Sequence, residues 1–254
     1  MEPSRFRIGT GWDSSREGDM VGSCPVVELR QYTLLPGQRD VLIELFDREF
    51  VESQEAVGME LIGQFRDLDR PDRFVWLRGF PDMDRRRQAL EAFYGGPVWK
   101  SHRRAANATM LDVDDVLLLR PLPSTSGFGP QPPPPAPGAR VPASLIVVTI
   151  CSLDEPADVA VVGGKVLPAL AATAWPALAV FIEEPSENTF PALPVRAGEY
   201  VVVWAQRIVD ARDGSEPSEA AIRASADVAR DVLPGLVGAP VQLRLEPTAR
   251  SRLR

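Results

Sequence analysis

The side chains best suited to chemistry gather in two stretches. From Val26 to Leu34 the run VVELRQYTL places Glu28, Arg30 and Tyr32 at alternate positions, and so on one face of an extended chain. From Trp76 to Met110 lie Trp76, Arg78, Tyr94, Trp99, Asn107 and His102, the last being the only histidine. His102 is the one side chain whose ordinary pKa suits proton transfer near neutral pH, and any axial haem contact by an imidazole would have to use it. Its alternative is a surface or capping role on a helix. An arginine directed into a protein interior must meet an anion. For Arg78 that anion is either Glu28, in a purely structural pair, or a substrate carboxylate or enolate. Tyr32 and Tyr94 either donate protons or pack, and Glu28 serves as a base only if strongly desolvated. The catalytic set expected is therefore His102, Tyr32 and Glu28. Arg78, Trp76, Arg30, Gln64, Tyr94, Trp99 and Asn107 are expected to contact substrate. Arg85, Arg86 and Arg87 read as a solvated helix face.

Other chemistries find little support. One histidine and two distant cysteines, Cys24 and Cys151, make no metal-binding spacing, so no metal is expected. Gly95-Gly96 and Gly163-Gly164 lack the residues that complete a phosphate cradle, and there is no G-x-S-x-G elbow. The expected chemistry needs no cofactor. A net charge of -7 over 254 residues argues against nucleic acid as a partner. No apolar run is long enough to span a bilayer, so membrane insertion is not expected. The expected partner is a small molecule, with a homo-oligomer possible, and the expected location is the cytoplasm.

These residues must be held by secondary structure that the pattern also shows. Residues 1–23 mix glycine, serine and charge without periodicity and read as a flexible leader. A strand from Val26 is followed by an amphipathic helix carrying Val41, Leu42, Leu45, Phe46 and Phe50, which is expected to cover the Val27 and Leu29 face. MELIGQFRDL and RFVWLRGF read as a hairpin, Asp82 as the cap of the next helix, Pro97 as the start of a short one, and VLLLRPL as a closing strand. After a proline-rich linker at 123–142, the order β-α-β-β-α-β returns over 143–248. The fold class expected is α+β: two ferredoxin-like repeats, 24–122 and 143–248, packed sheet to sheet as an intramolecular dimeric α+β barrel. Glu28, Arg30, Tyr32, Ile62, Gln64, Arg66, Trp76 and Arg78 are expected to point into that barrel.

The blocks ELRQYTLLPG, GQF, WLRGFPDM and FYGGPVWK and the closing DVDDVLLLRPL resemble the NIPSNAP family over residues 26–122. The second half is similar to the divergent second repeat of many members. The resemblance implies a dimeric α+β barrel and leaves activity open. Animal members are mitochondrial, whereas the leader here is not an arginine-rich amphipathic helix. Three functions are consistent with these features. They are a cofactor-independent enzyme for an enolisable or polyketide-like substrate acting by cyclisation, isomerisation or oxygenation, a non-catalytic ligand-binding or interaction module, and a haem-binding barrel.

Overall fold

A computed structural model describes residues 24–122, 127–141, 143–209 and 216–254. The leader at 1–23 and the linker residues 123–126 and 142 lie outside the described residues. In the first half, β1 (Val26–Leu34) leads into α1 (Arg39–Leu45), a π-helical turn (Phe46–Phe50) and α2 (Val51–Glu55). Gly58, at φ +90°, turns the chain into β2 (Glu60–Asp67), as only a residue without Cβ does freely. Then come β3 (Arg73–Phe80), α3 (Met83–Gly95), α4 (Pro97–Asn107) and β4 (Met110–Pro121). Asp82 caps α3 by accepting from the Arg85 amide at 2.6 Å, and Pro97 opens α4.

The second half runs β5 (Ser144–Leu153), α5 (Val159–Val161), a second π turn (Val162–Val166) and α6 (Leu167–Ala171). It continues with β6 (Ala177–Glu183), β7 (Tyr200–Val209), α7 (Glu216–Val232) and β8 (Val241–Pro247). The double glycine and Pro168 account for a helix broken into short pieces here.

All eight strands close one antiparallel barrel in the order β1-β3-β2-β8-β5-β7-β6-β4. Two seams join the halves. At one, Phe65, Arg66 and Asp67 pair with Pro247, Glu246 and Leu245; at the other, Leu119 to Pro121 pair with Glu183 to Phe181. The tail beyond β8 returns along β2, with the Thr248 amide on the Gln64 carbonyl at 2.8 Å and that of Leu253 on Ile62 at 2.9 Å.

The barrel interior is apolar and drawn from both halves. Val27, Leu29, Val75, Leu77, Leu117 and Leu119 meet Ile146, Val148, Ile150, Val201, Val203 and Leu243. An eight-stranded barrel is just wide enough for side chains to fill it. This reverses the expected placement of the polar strand face. Of the residues expected inside the barrel only Ile62 is there; Glu28, Arg30, Tyr32, Gln64, Trp76 and Arg78 share the face that looks toward the helices, and Arg66 pairs with Asp40 of α1 at 2.8 Å. The physical reason is complementarity. The second half offers the barrel valine, isoleucine, leucine, alanine and phenylalanine, which cannot pair a charge, whereas α3 offers a cation.

The linker is partly docked, with Phe128 against Phe181 at 5.2 Å between ring centroids. Residues 130–141 are mostly exposed and without regular structure. A single backbone cut there is expected to leave the two fragments co-eluting on a sizing column, because both seams remain. Elution as two separate fragments would show that the seams do not hold the halves together.

Candidate functional site

Glu28 sits in the middle of β1 with no solvent exposure and binds three arginines. Arg30 on the same strand reaches it at 2.8 Å, Arg78 directly across on β3 at 2.7 Å, and Arg86 from α3 at 2.6 Å. All four side chains are fully buried. Burial alone would push the Glu28 carboxyl up; Arg78, Arg30 and Arg86 outweigh it and hold it well below the usual carboxylate range. Arg86 is pulled down by burial, against the opposing effect of Glu28, but a guanidinium stays protonated regardless. Three cations crowd one anion, leaving a formal excess of two positive charges. Part of that excess rests on aromatic faces, with Arg78 4.9 Å and Arg30 5.5 Å from the Trp76 ring.

Arg86 is the residue that the sequence reading missed. It was expected on a solvated face, yet it lies on the stripe Arg86, Ala89, Leu90, Phe93 that α3 buries. The spacing of three and four residues was legible; the charge disguised it.

Beside this cluster, between the sheet and the helices, is a cavity of about 90 Å³. Tyr32, Trp76, Tyr94, Trp99 and Asn107 line it, all from the expected set, together with Phe46, Phe50 and Gln54. Phe46 and Phe50 bracket the π turn, a distortion frequent at functional sites. Gln54 links wall to cluster, accepting from Arg78 at 3.1 Å. The Tyr32 hydroxyl accepts from Arg30 Nε at 3.1 Å, and its own proton has no acceptor among the described residues. Trp76 Nε1 and the Nη2 groups of Arg30, Arg78 and Arg86 are likewise buried without a partner. Gln64 Oε1, next to Trp76 in the strand register, and Asp47 Oδ1, in the π turn, are buried acceptors without a partner among the described residues. The surroundings of the cavity thus have spare donors and spare positive charge, which together favour an anionic acceptor.

His102 does not join this group. It lies in mid-α4, a third exposed, with Nε2 3.4 Å from Glu49 and its ring 6.3 Å from that of Phe50. Although expected in the catalytic set, it is not among the residues lining the cavity: a basic, exposed helix face leaves it beside a carboxylate on the neighbouring turn. His102 supplies no haem ligand to this cavity, since its imidazole faces Glu49 and is not part of the cavity lining. Arg78 takes the structural alternative, pairing with Glu28.

A roomier hollow of about 490 Å³ opens at the barrel end near Cys24, Glu60, Asp82 and Phe128. Its polar groups answer one another: Cys24 donates to Glu60 at 3.0 Å, and Asp82 is spent on its helix cap. Chemistry, not size, therefore selects the smaller cavity. No helix among the described residues is long and apolar enough to cross a membrane, and no cluster of three or more potential metal-ligating His, Cys, Asp or Glu occurs among them.

Residues 27–125 match the family model described as NIPSNAP, so the first half carries a NIPSNAP domain. Over 37% of this chain and 81% of its own, a NIPSNAP-like domain protein from Burkholderia xenovorans aligns at 25% identity, with a TM-score of 0.34. Longer matches span both halves. A proposed monooxygenase from Fusobacterium nucleatum aligns over 89% of this chain and 93% of its own at 8% identity and a TM-score of 0.51. An anthrone oxidase-like protein aligns over 88% and 91% at 13% identity and a TM-score of 0.50. At such identities these two share the fold alone. No curated protein matches.

Two carboxyls make opposite contributions to stability with pH. Glu28, depressed in the fold, contributes stability above the ordinary carboxylate range and loses it as pH falls. Asp47, in the π turn, is pushed up to about 6 by burial, against Arg250 and Arg66, so its contribution is fullest at acid pH and is lost as pH rises through about 6. Glu28→Gln, leaving three buried cations without a countercharge, is expected to cost about 3–5 kcal/mol in urea unfolding at pH 7. Asp47→Asn is expected to gain on the wild type between pH 4 and 7. A Glu28→Gln loss under 1 kcal/mol, or parallel pH curves for Asp47→Asn and wild type, would contradict these assignments.

Proposed function

We propose that the cavity of the first half binds the conjugate base of an enolisable or phenolic, polyketide-like compound, and that the protein converts it without a cofactor by oxygenation, isomerisation or cyclisation. The carrying observation is the pairing of a Tyr32 hydroxyl polarised by Arg30 with an orphaned Trp76 indole N–H, at 5.8 Å between ring centroids, beside the surplus positive charge. A bound enolate oxygen takes both donors, and the surplus charge lowers the pKa of the compound that brings it. A strong protein base is then unnecessary, because the acid is made stronger instead. The strand orders β4-β1-β3-β2 and β8-β5-β7-β6 support reading the halves as two ferredoxin-like repeats, of which the first holds the site.

A second reading is favoured by the placement of the titratable groups. Glu28 is held ionised by three arginines and His102 stands off the cavity, so a binding module without turnover accounts for the same donors.

4-Nitrophenol tests the binding step, since its absorbance reports ionisation. Bound to the protein, it is expected to titrate about 1–3 units below its free value. Tyr32→Phe is expected to weaken binding of the phenolate about tenfold. Binding with an unchanged or raised probe pKa would overturn the reading. Turnover is tested with anthrone: one molecule plus one dioxygen yields anthraquinone and water, followed as oxygen uptake. Uptake above the buffer rate that falls about 10²-fold in Tyr32→Phe supports the enzyme. Uptake at the buffer rate alongside tight phenolate binding supports the binding module.

A further inference from the structure

The wall of this cavity is completed by the other half of the chain. Between β6 and β7, residues 184–199 form a segment without regular secondary structure, broken by Pro185, Pro191 and Pro194 and ending near Gly198 at φ +72°. It leaves β6 with the Glu184 amide on the Leu118 carbonyl at 2.9 Å, then crosses to the first half and touches it in two further places. Arg86 Nη1 donates to Asn188 at 3.0 Å and to Thr189 at 3.2 Å, and Phe190 stacks on Tyr94 at 5.8 Å. Farther along, the Arg196 amide donates to the Val116 carbonyl at 2.8 Å and its guanidinium to Asp115 at 3.1 Å. Between these contacts Leu193 lines the cavity.

Along this segment and the barrel wall runs a groove of about 650 Å³, lined by Leu117, Leu118, Asn188, Pro194 and Val195 among others. The segment therefore has free volume beside it and few apolar anchors, the features of a low-stability unit. The closed cavity, at about 90 Å³, is well below the roughly 300 Å³ that a drug-sized ligand fills, so a polyketide-like ligand must displace a wall. In the sheet-to-helix layer of the second half, Cys151, Val180, Ile182, Val202 and Trp204 pack with Ala229 and Leu233.

We propose that residues 184–199 are the entry gate of the first half's cavity, latched by Arg86 on Asn188 and Thr189 and by Arg196 on Asp115, with Leu193 and Phe190 setting the size of ligand admitted. This rests on the reading that the cavity takes an acidic aromatic compound. Because Arg86 is held at once by Glu28 and by the gate, the latch is built into the cluster that attracts the ligand. The second half contributes the gate.

Hydrogen exchange on the full chain reads the gate without any ligand. The Leu193 and Arg196 amides are expected to exchange at least about tenfold faster than those of β6 and β7, and about tenfold faster again in Asn188→Ala/Thr189→Val. The same unlatched variant is expected to bind 4-nitrophenol with a similarly faster association and an unchanged bound pKa. Leu193→Ala is expected to tighten alizarin, a tricyclic phenol, about tenfold while changing 4-nitrophenol less than about threefold. Gate amides that exchange together with the flanking strands in both proteins overturn the gate, even where 4-nitrophenol binds with a lowered pKa. Fast gate exchange with no 4-nitrophenol binding to either protein refutes the acidic-ligand reading instead, and the gate assigned to that ligand falls with it.

Discussion

A carboxylate with no solvent exposure, ion-paired to three guanidiniums, cannot be placed just anywhere in a fold. Glu28 obtains Arg30 from its own strand, two residues on, Arg78 from the strand partner directly opposite, and Arg86 from one turn of α3. Each contact constrains a different level of structure. The strand pleat sets the first, the β1–β3 register the second and the docking of α3 on the sheet the third. A one-residue slip of β1 would turn Glu28 into the barrel, where there is nothing to pair it. The cluster thus decides which face of the first sheet the helices cover, and the cavity follows from the aromatics arranged around it.

The two halves divide the work. The barrel interior, built of branched aliphatic side chains from both, supplies the apolar burial and excludes charge. The buried cluster of Glu28 with Arg30, Arg78 and Arg86 lies in the sheet-to-helix layer of the first half. In the second half that layer is apolar, with the Trp204 indole donating to Ser225 at 2.6 Å as one of its internal polar contacts. Two halves of one chain can be asymmetric in a way that a symmetric dimer cannot. The first half here bears the charged cluster, and residues 184–199 of the other reach across to it.

Most of the fold was legible in the sequence. Strand alternation, the Asp82 cap and the Pro97 start correspond to local physics and reappear in the fold. What alternation could not say was which face is which. Val27 and Leu29 differ in kind from Glu28 and Arg30, but both sets are core, and only the composition of the partner layers separates barrel from helix side. Tyr32, Trp76, Tyr94, Trp99 and Asn107 line one cavity; strand alternation singled out Tyr32, and the density of aromatic and amide side chains between Trp76 and Met110 singled out the others. His102 misled because a sole imidazole attracts a role by scarcity, which is no physical force. Arg86 was hidden in a charge run, and the reach of residues 184–199 across the molecule left no local signal.

Whether the buried surplus charge is a binding device or only the by-product of holding Glu28 can be decided with two nearly isosteric ligands. Calorimetric titration of the wild-type protein at pH 7 with benzoate and with benzamide compares an anion with its neutral counterpart of the same shape. If spare donors and spare charge select an anion, benzoate binds at least about tenfold more tightly, a difference near 1.4 kcal/mol. Equal affinity, or a preference for benzamide, would contradict that account and leave the arginine cluster a structural feature alone.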